Sequence, residues 1–176
     1  MKRIKDSIIE YVLDRPRQRV RVTETARQLH ISKGYVSKTI YGMRKEGLVK
    51  GSFVNMADPY VRSLKVSINL HRIKTSGVIL EIRRLGVSGA GLYGSWANGT
   101  NTEDSDIDIW LKTSDKIGAL ELSRLSKKVG EVLKVRPQII TLDSEHIKRL
   151  RKNNEVFYFT LALSSIILVG DGLGQA

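Results

Sequence analysis

Asp106 and Asp108, either side of Ile107, offer two hard oxygen ligands from one short stretch of chain. Ile107, Ile109 and Leu111 alternate with Asp106, Asp108 and Trp110 in a run of β-formers, so both carboxylates should leave one face of a strand. Paired carboxylates suit Mg²⁺, which takes one or two protein carboxylates and fills its shell with phosphate oxygens and water. Upstream, Gly94-Ser95 follows a short apolar run from Val87 to Tyr93 and opens a short helix expected around Trp96 to Gly99. A helix start presents free N–H groups and a positive dipole end to anionic oxygens. Gly94 allows close backbone approach, and the Ser95 hydroxyl can add a donor. A metal-bound triphosphate is the ligand both halves would serve together. Taken singly neither half is specific, since such pairs are common on strand edges and in turns.

As one segment, Gly94 to Asp108 resembles the signature of the minimal nucleotidyltransferases of the DNA polymerase β superfamily. That signature runs glycine-serine, a glycine four residues beyond the serine, then serine-aspartate-x-aspartate. Gly94, Ser95, Gly99, Ser105, Asp106 and Asp108 all match. A looser similarity covers about residues 73–172, including the closing Leu168-Val169-Gly170-Asp171-Gly172. The resemblance implies transfer of a nucleoside monophosphate from a nucleoside triphosphate, expected to be ATP, to an acceptor hydroxyl. Asp106 and Asp108 would be catalytic and would hold two Mg²⁺ or Mn²⁺ ions, while Gly94, Ser95, Asn98, Gly99 and Ser105 would surround the nucleotide.

Two departures from the family pattern bear on turnover. Asn98 stands where members usually carry arginine before the second glycine, so one phosphate contact is absent. Gln138, in the stretch Arg136 to Asp143, aligns with the third carboxylate that members catalysing transfer usually carry. An amide cannot take up the acceptor's proton. Asp143 is the alternative carboxylate, but five residues on it faces the other side of a regular strand. Glu103 and Asp104 read as a solvated loop. Enzyme status therefore stays open between a nucleotidyltransferase and a regulator whose transferase-like domain binds nucleotide or a partner without turnover.

These residues need a scaffold, and the order of elements supplies one. Residues 69–85 read as a helix weakened near Gly77. Strands follow at Val87–Tyr93, Ser105–Lys112 and Gln138–Leu142, with helices at Asp115–Leu133, Ser144–Arg151 and Glu155–Val169. Alternation of this kind argues for an α/β fold, a small mixed sheet covered by helices, over residues 71–176.

Residues 1–70 read differently. Ile4, Ile8, Tyr11 and Val12 lie at helical spacing before Pro16; Thr23 and Ser32 are candidate caps of two further helices; Val36, Ile40 and Met43 set the core face of the third. Gly47 closes that helix, and Leu48–Val54 and Val61–Ile68 read as strands around residues 55–59. Three helices and a hairpin describe a winged helix-turn-helix, and Val22 to Ile40 resembles that of prokaryotic transcription regulators over roughly residues 3–68. The resemblance implies DNA as partner, with Lys33, Ser37 and Lys38 in the major groove and Tyr41, Arg44 and Lys45 on the backbone. Such proteins are often dimers, so a homodimer is expected. Winged helices also serve as protein-docking modules.

Charge favours DNA. The 176 residues carry a formal +12, and residues 1–70 hold 15 basic against 6 acidic side chains, a net of +9. There are no cysteines, which excludes disulfides and thiolate metal sites and fits a cytoplasmic protein. His30, His71 and His146 are too scattered for a zinc site. The charged start Met1-Lys2-Arg3-Ile4-Lys5-Asp6 does not read as a signal peptide, and the apolar run Val156 to Val169 is short for a membrane span, so no membrane partner is expected. The acceptor could be a protein, such as a toxin partner, a small molecule or a nucleic-acid end.

Overall fold

The computed structural model describes residues 4–174. The opening Met1-Lys2-Arg3, including the first residue of the helix-turn-helix resemblance, lies outside them. Contacts divide the chain into two compact units, residues 1–68 with 99–103 and residues 69–98 with 104–176.

The first unit contains helices α1 (Ile4–Leu13), α2 (Val22–Leu29) and α3 (Lys33–Lys45), then the antiparallel strands β1 (Val49–Lys50) and β2 (Phe53–Val54). Ile8, Val12, Ala26, Val36, Ile40, Met43, Leu48 and Val54 form its core, as the helical spacing of the first and third segments requires. Ser32 caps α3, its Oγ accepting the Tyr35 N–H at 3.4 Å. Thr23 caps nothing: α2 begins one residue earlier, after Arg21, with no side-chain cap.

The strand expected at Val61–Ile68 is helical. Helix α4 runs from Pro59 to Thr75. Asp58 accepts the Tyr60 N–H at 2.8 Å and Pro59 occupies the first turn, where its missing N–H costs nothing. Val61 and Lys65 are then buried one turn apart. The ammonium of Lys65 donates to the Leu13 carbonyl at 2.7 Å, placing a cation at the C-terminal end of α1. The hairpin is therefore only Val49–Lys50 against Phe53–Val54, because Pro59 starts a helix where a second long strand was read.

The second unit adds α5 (Val78–Arg84), β3 (Gly89–Tyr93), α6 (Gly94–Asn98), β4 (Ile107–Lys112), α7 (Ala119–Leu133), β5 (Pro137–Leu142), α8 (Ser144–Asn153), α9 (Glu155–Ser164) and β6 (Ile166–Gly170). The four strands form one mixed sheet in the order β5-β4-β3-β6. Only β4 and β5 are parallel, joined across α7 as a parallel pair requires; β3 runs antiparallel to both β4 and β6.

The apolar run at the end of the chain is not one helix. Glu155–Val169 divides at Ser165 into α9 and the edge strand β6. A short apolar run cannot be assigned by periodicity alone, and pairing with β3 decides the case for Ile166 to Gly170.

The sheet's two faces have separate cores. Ile107, Ile109 and Leu111 pack with Ile82, Leu125, Val129 and Leu133 on one side, whereas Trp110 packs with Leu142 and Leu161 on the other. This alternation aims Asp106 and Asp108 to the Trp110 side. Among the described residues no helix is long and apolar enough to cross a membrane.

Candidate nucleotide and metal site

Strand pairing brings the two halves of the motif together. Tyr93, the last residue of β3, is the register partner of Asp108 on β4. Gly94 follows at φ 67°, a left-handed conformation that glycine adopts freely, and the chain turns there into α6. A Cβ on Gly94 would lie 2.4 Å from Asp108 Oδ2. The space a side chain would fill is therefore occupied by the carboxylate. Ser95 is half-buried in the first turn of α6, held in place because Trp96 beside it is buried and the Trp96 carbonyl accepts the Asn69 amide at 2.9 Å.

The other side of Asp108 faces β5. Asp108 and Gln138 are register partners, and Asp106 and Arg136 stand just before the first pair of that parallel ladder, Ile107 and Pro137. Arg136 grips Asp106 with both arms of its fork, Nε to Oδ1 at 2.7 Å and Nη2 to Oδ2 at 2.9 Å. Gln138 Nε2 donates to the same Oδ2 at 2.6 Å.

The two aspartates are consequently shifted in opposite directions from the ordinary carboxylate value. The hydrogen bond from Arg136, then that from Gln138, holds the Asp106 carboxyl below the usual carboxylate range. Burial first, and the like charge of Asp106 second, pushes Asp108 up. Tyr93 is pushed up as well, by burial and by the neighbouring Asp108.

A divalent cation fits this donor set. Asp108 offers oxygens that burial leaves poorly solvated, Gly94 lets that carboxylate stand against the turn, and phosphate oxygens and water can complete an octahedral shell. No third acidic or histidine ligand joins them: among the described residues no group of three or more His, Cys, Asp or Glu could hold a metal. Asp143 is not a substitute. It lies beyond the end of β5, about 17 Å along the strand from Gln138 at ~3.3 Å per residue, where it caps α8 by accepting the His146 N–H at 2.7 Å.

Other members of the expected site have their own placements. Asn98 is exposed at the end of α6, and Ser105 is half-buried just before β4. Gly99 is buried at φ 73°, and a Cβ there would stand 2.2 Å from the Arg62 carbonyl oxygen, so its place is set by that backbone. Glu103, expected in a solvated loop, is half-buried and has one oxygen fully covered. Sequence reasoning did not single out Arg136. Its signal was there to read, because Arg136-Pro137-Gln138 repeats the alternation of Asp106-Ile107-Asp108 on the strand that pairs with it.

The mixed sheet sets a Gly-Ser turn against an Asp-x-Asp strand. The nucleotidyltransferase domain family matches residues 76–161. One putative protein adenylyltransferase of Methanocaldococcus jannaschii is 33% identical over 79 residues, covering 45% of this chain and 84% of that protein. A second from the same organism is 32% identical over 69 residues, covering 39% and 70%. The chain belongs to the nucleotidyltransferase family. Among solved structures, a toxin-antitoxin complex with AMP-PNP is 21% identical with a TM-score of 0.42, covering 55% of this chain and 73% of that one.

In the first unit, Lys33, Ser37, Lys38, Tyr41, Arg44 and Lys45 are all exposed on α3, and Val36, Thr39, Ile40 and Met43 are buried on its other face. The Lys45 ammonium lies 5.0 Å from the centre of the Tyr41 ring.

Proposed function

We propose that this protein transfers AMP from ATP to a hydroxyl group of a protein, and that its first unit is a winged helix-turn-helix that binds DNA. The observation carrying the transferase reading is the juxtaposition of the Gly94-Ser95 turn with Asp108, which sets the turn's amides beside paired carboxylates. Similarity to two putative protein adenylyltransferases supports adenylyl as the group and protein as the acceptor. The DNA reading is supported by the basic excess of residues 1–70 and the exposed polar face of α3.

In this reading Asp108, with Asp106 beside it, would hold a divalent cation, Mg²⁺ or Mn²⁺, together with the phosphates. The cation supplies electrophilic activation at the α-phosphate and charge neutralisation for the departing pyrophosphate. Ser95 and the amides of the turn hold the β- and γ-phosphate oxygens. The acceptor oxygen bonds to the α-phosphorus as the bond to the β-phosphate oxygen breaks. Its proton passes to solvent or to a group on the acceptor, because Gln138 cannot take it.

Labelled nucleoside triphosphates with Mg²⁺ or Mn²⁺ and a host lysate test the reading. Labelled protein from ATP, lost in Asp106→Asn and Asp108→Asn, is the expected result; labelling that survives both substitutions would sink it. A second reading, nucleotide binding without turnover, is favoured specifically by Gln138 and its donation to Asp106. Retained nucleotide binding with no labelled product would select it.

A further inference from the structure

Asp106 is answered by a cation that belongs to the chain itself. Arg136 contacts both of its oxygens and Gln138 adds a third donor, so a single lone-pair site on Oδ1 is left, on the usual count of two per oxygen. A second metal ion would have to share that carboxylate with a guanidinium less than 3 Å away, cation against cation. Nor does β5 contribute negative charge to hold one, since the register partner of Asp108 is an amide. Asp108 stands instead against the Gly94 turn, with Tyr93 and the Gln138 amide as its register partners and no guanidinium among them.

We propose that Arg136 takes the place of one of two cations, so that the site accepts a single divalent ion with its nucleotide, held through Asp108. The inference rests on the transferase-type site proposed above, but not on turnover. The Arg136 side chain is 80% exposed, and its fork has five N–H donors of which Asp106 uses two. Three remain for anionic oxygens. A guanidinium is suited to this because it keeps its charge at every working pH and matches phosphate geometry. Arg136 is thus a positioning residue for Asp106 and a fixed charge beside the phosphates.

The test is an electron paramagnetic resonance titration of Mn²⁺ into the full-length protein with a non-hydrolysable ATP analogue. One nucleotide-dependent Mn²⁺ per chain is expected, rising twofold to two in the Arg136→Ala, Gln138→Glu double variant, which frees Asp106 and restores a third carboxylate. Both changed side chains are exposed, so circular dichroism should report an unchanged fold. Two ions in the unsubstituted protein overturn the inference and leave the transferase reading intact. One ion in both proteins also overturns it, because Arg136 would then exclude nothing. Absence of any nucleotide-dependent Mn²⁺ sinks the inference and the transferase reading together.

Discussion

The two units carry their functional side chains in opposite ways. On α3 the six candidate DNA contacts stand exposed on one helix face, each set by helical spacing. In the second unit Gly94, Asp106, Asp108, Arg136 and Gln138 come from three strand ends, and they share atoms: one carboxylate takes three donors, and one glycine is shaped by a neighbour's oxygen. A surface of the first kind should respond to substitution additively, and a site of the second kind should not.

The largest departure from additivity is expected at Gly94. Gly94→Ala puts a methyl group where Asp108 Oδ2 lies and strains a left-handed residue. Since misplacement of ~1 Å commonly costs on the order of 100-fold, labelled transfer should fall by about that factor, with Mn²⁺ binding weakened alongside. Normal transfer by this variant would show that Gly94 does not shape the site.

Gly99→Ala should affect folding rather than chemistry, although both glycines belong to one motif. Its methyl group would meet the Arg62 carbonyl oxygen at a positive φ, and strain of about 1–3 kcal/mol is the usual cost. Thermal unfolding should show the loss, while nucleotide affinity measured below the transition stays near normal. Selective loss of nucleotide affinity would return Gly99 to the phosphate site.

Smaller, additive effects are expected on α3. Arg44→Ala and Lys45→Ala should each reduce the salt slope of DNA binding by about one phosphate contact, and together by about two. A double variant that matches either single one would break the contrast between the units. Least of all, Tyr41→Ala should leave unfolding free energy within about 0.5 kcal/mol, because the side chain is exposed.

Much of this was legible beforehand. Helical spacing located Val36, Ile40 and Met43 in the core, and strand alternation put Asp106 and Asp108 on the face opposite Ile107 and Ile109. Those are local periodicities, and one segment contains them whole. Less was legible where a segment suits two structures: Val61–Ile68 reads as strand until Asp58 and Pro59 start a helix, and Ile166–Val169 reads as helix until β3 offers an edge. Asp143 shows the same limit. Strand spacing placed it on the far side of β5, whereas a helix start beyond the strand claims its carboxylate.

By itself the sequence determined the chemistry available: two carboxylates at strand spacing, a Gly-Ser turn, an amide where the family carries a third acid, and a basic excess in residues 1–70. The tertiary structure alone decided who meets whom. Antiparallel register set Gly94 against Asp108, and parallel register set Gln138 beside Asp108 and brought Arg136 within reach of Asp106 just before the ladder begins. Register depends on pairing between distant strands, and a shift of one residue would have sent every one of these side chains to the other face.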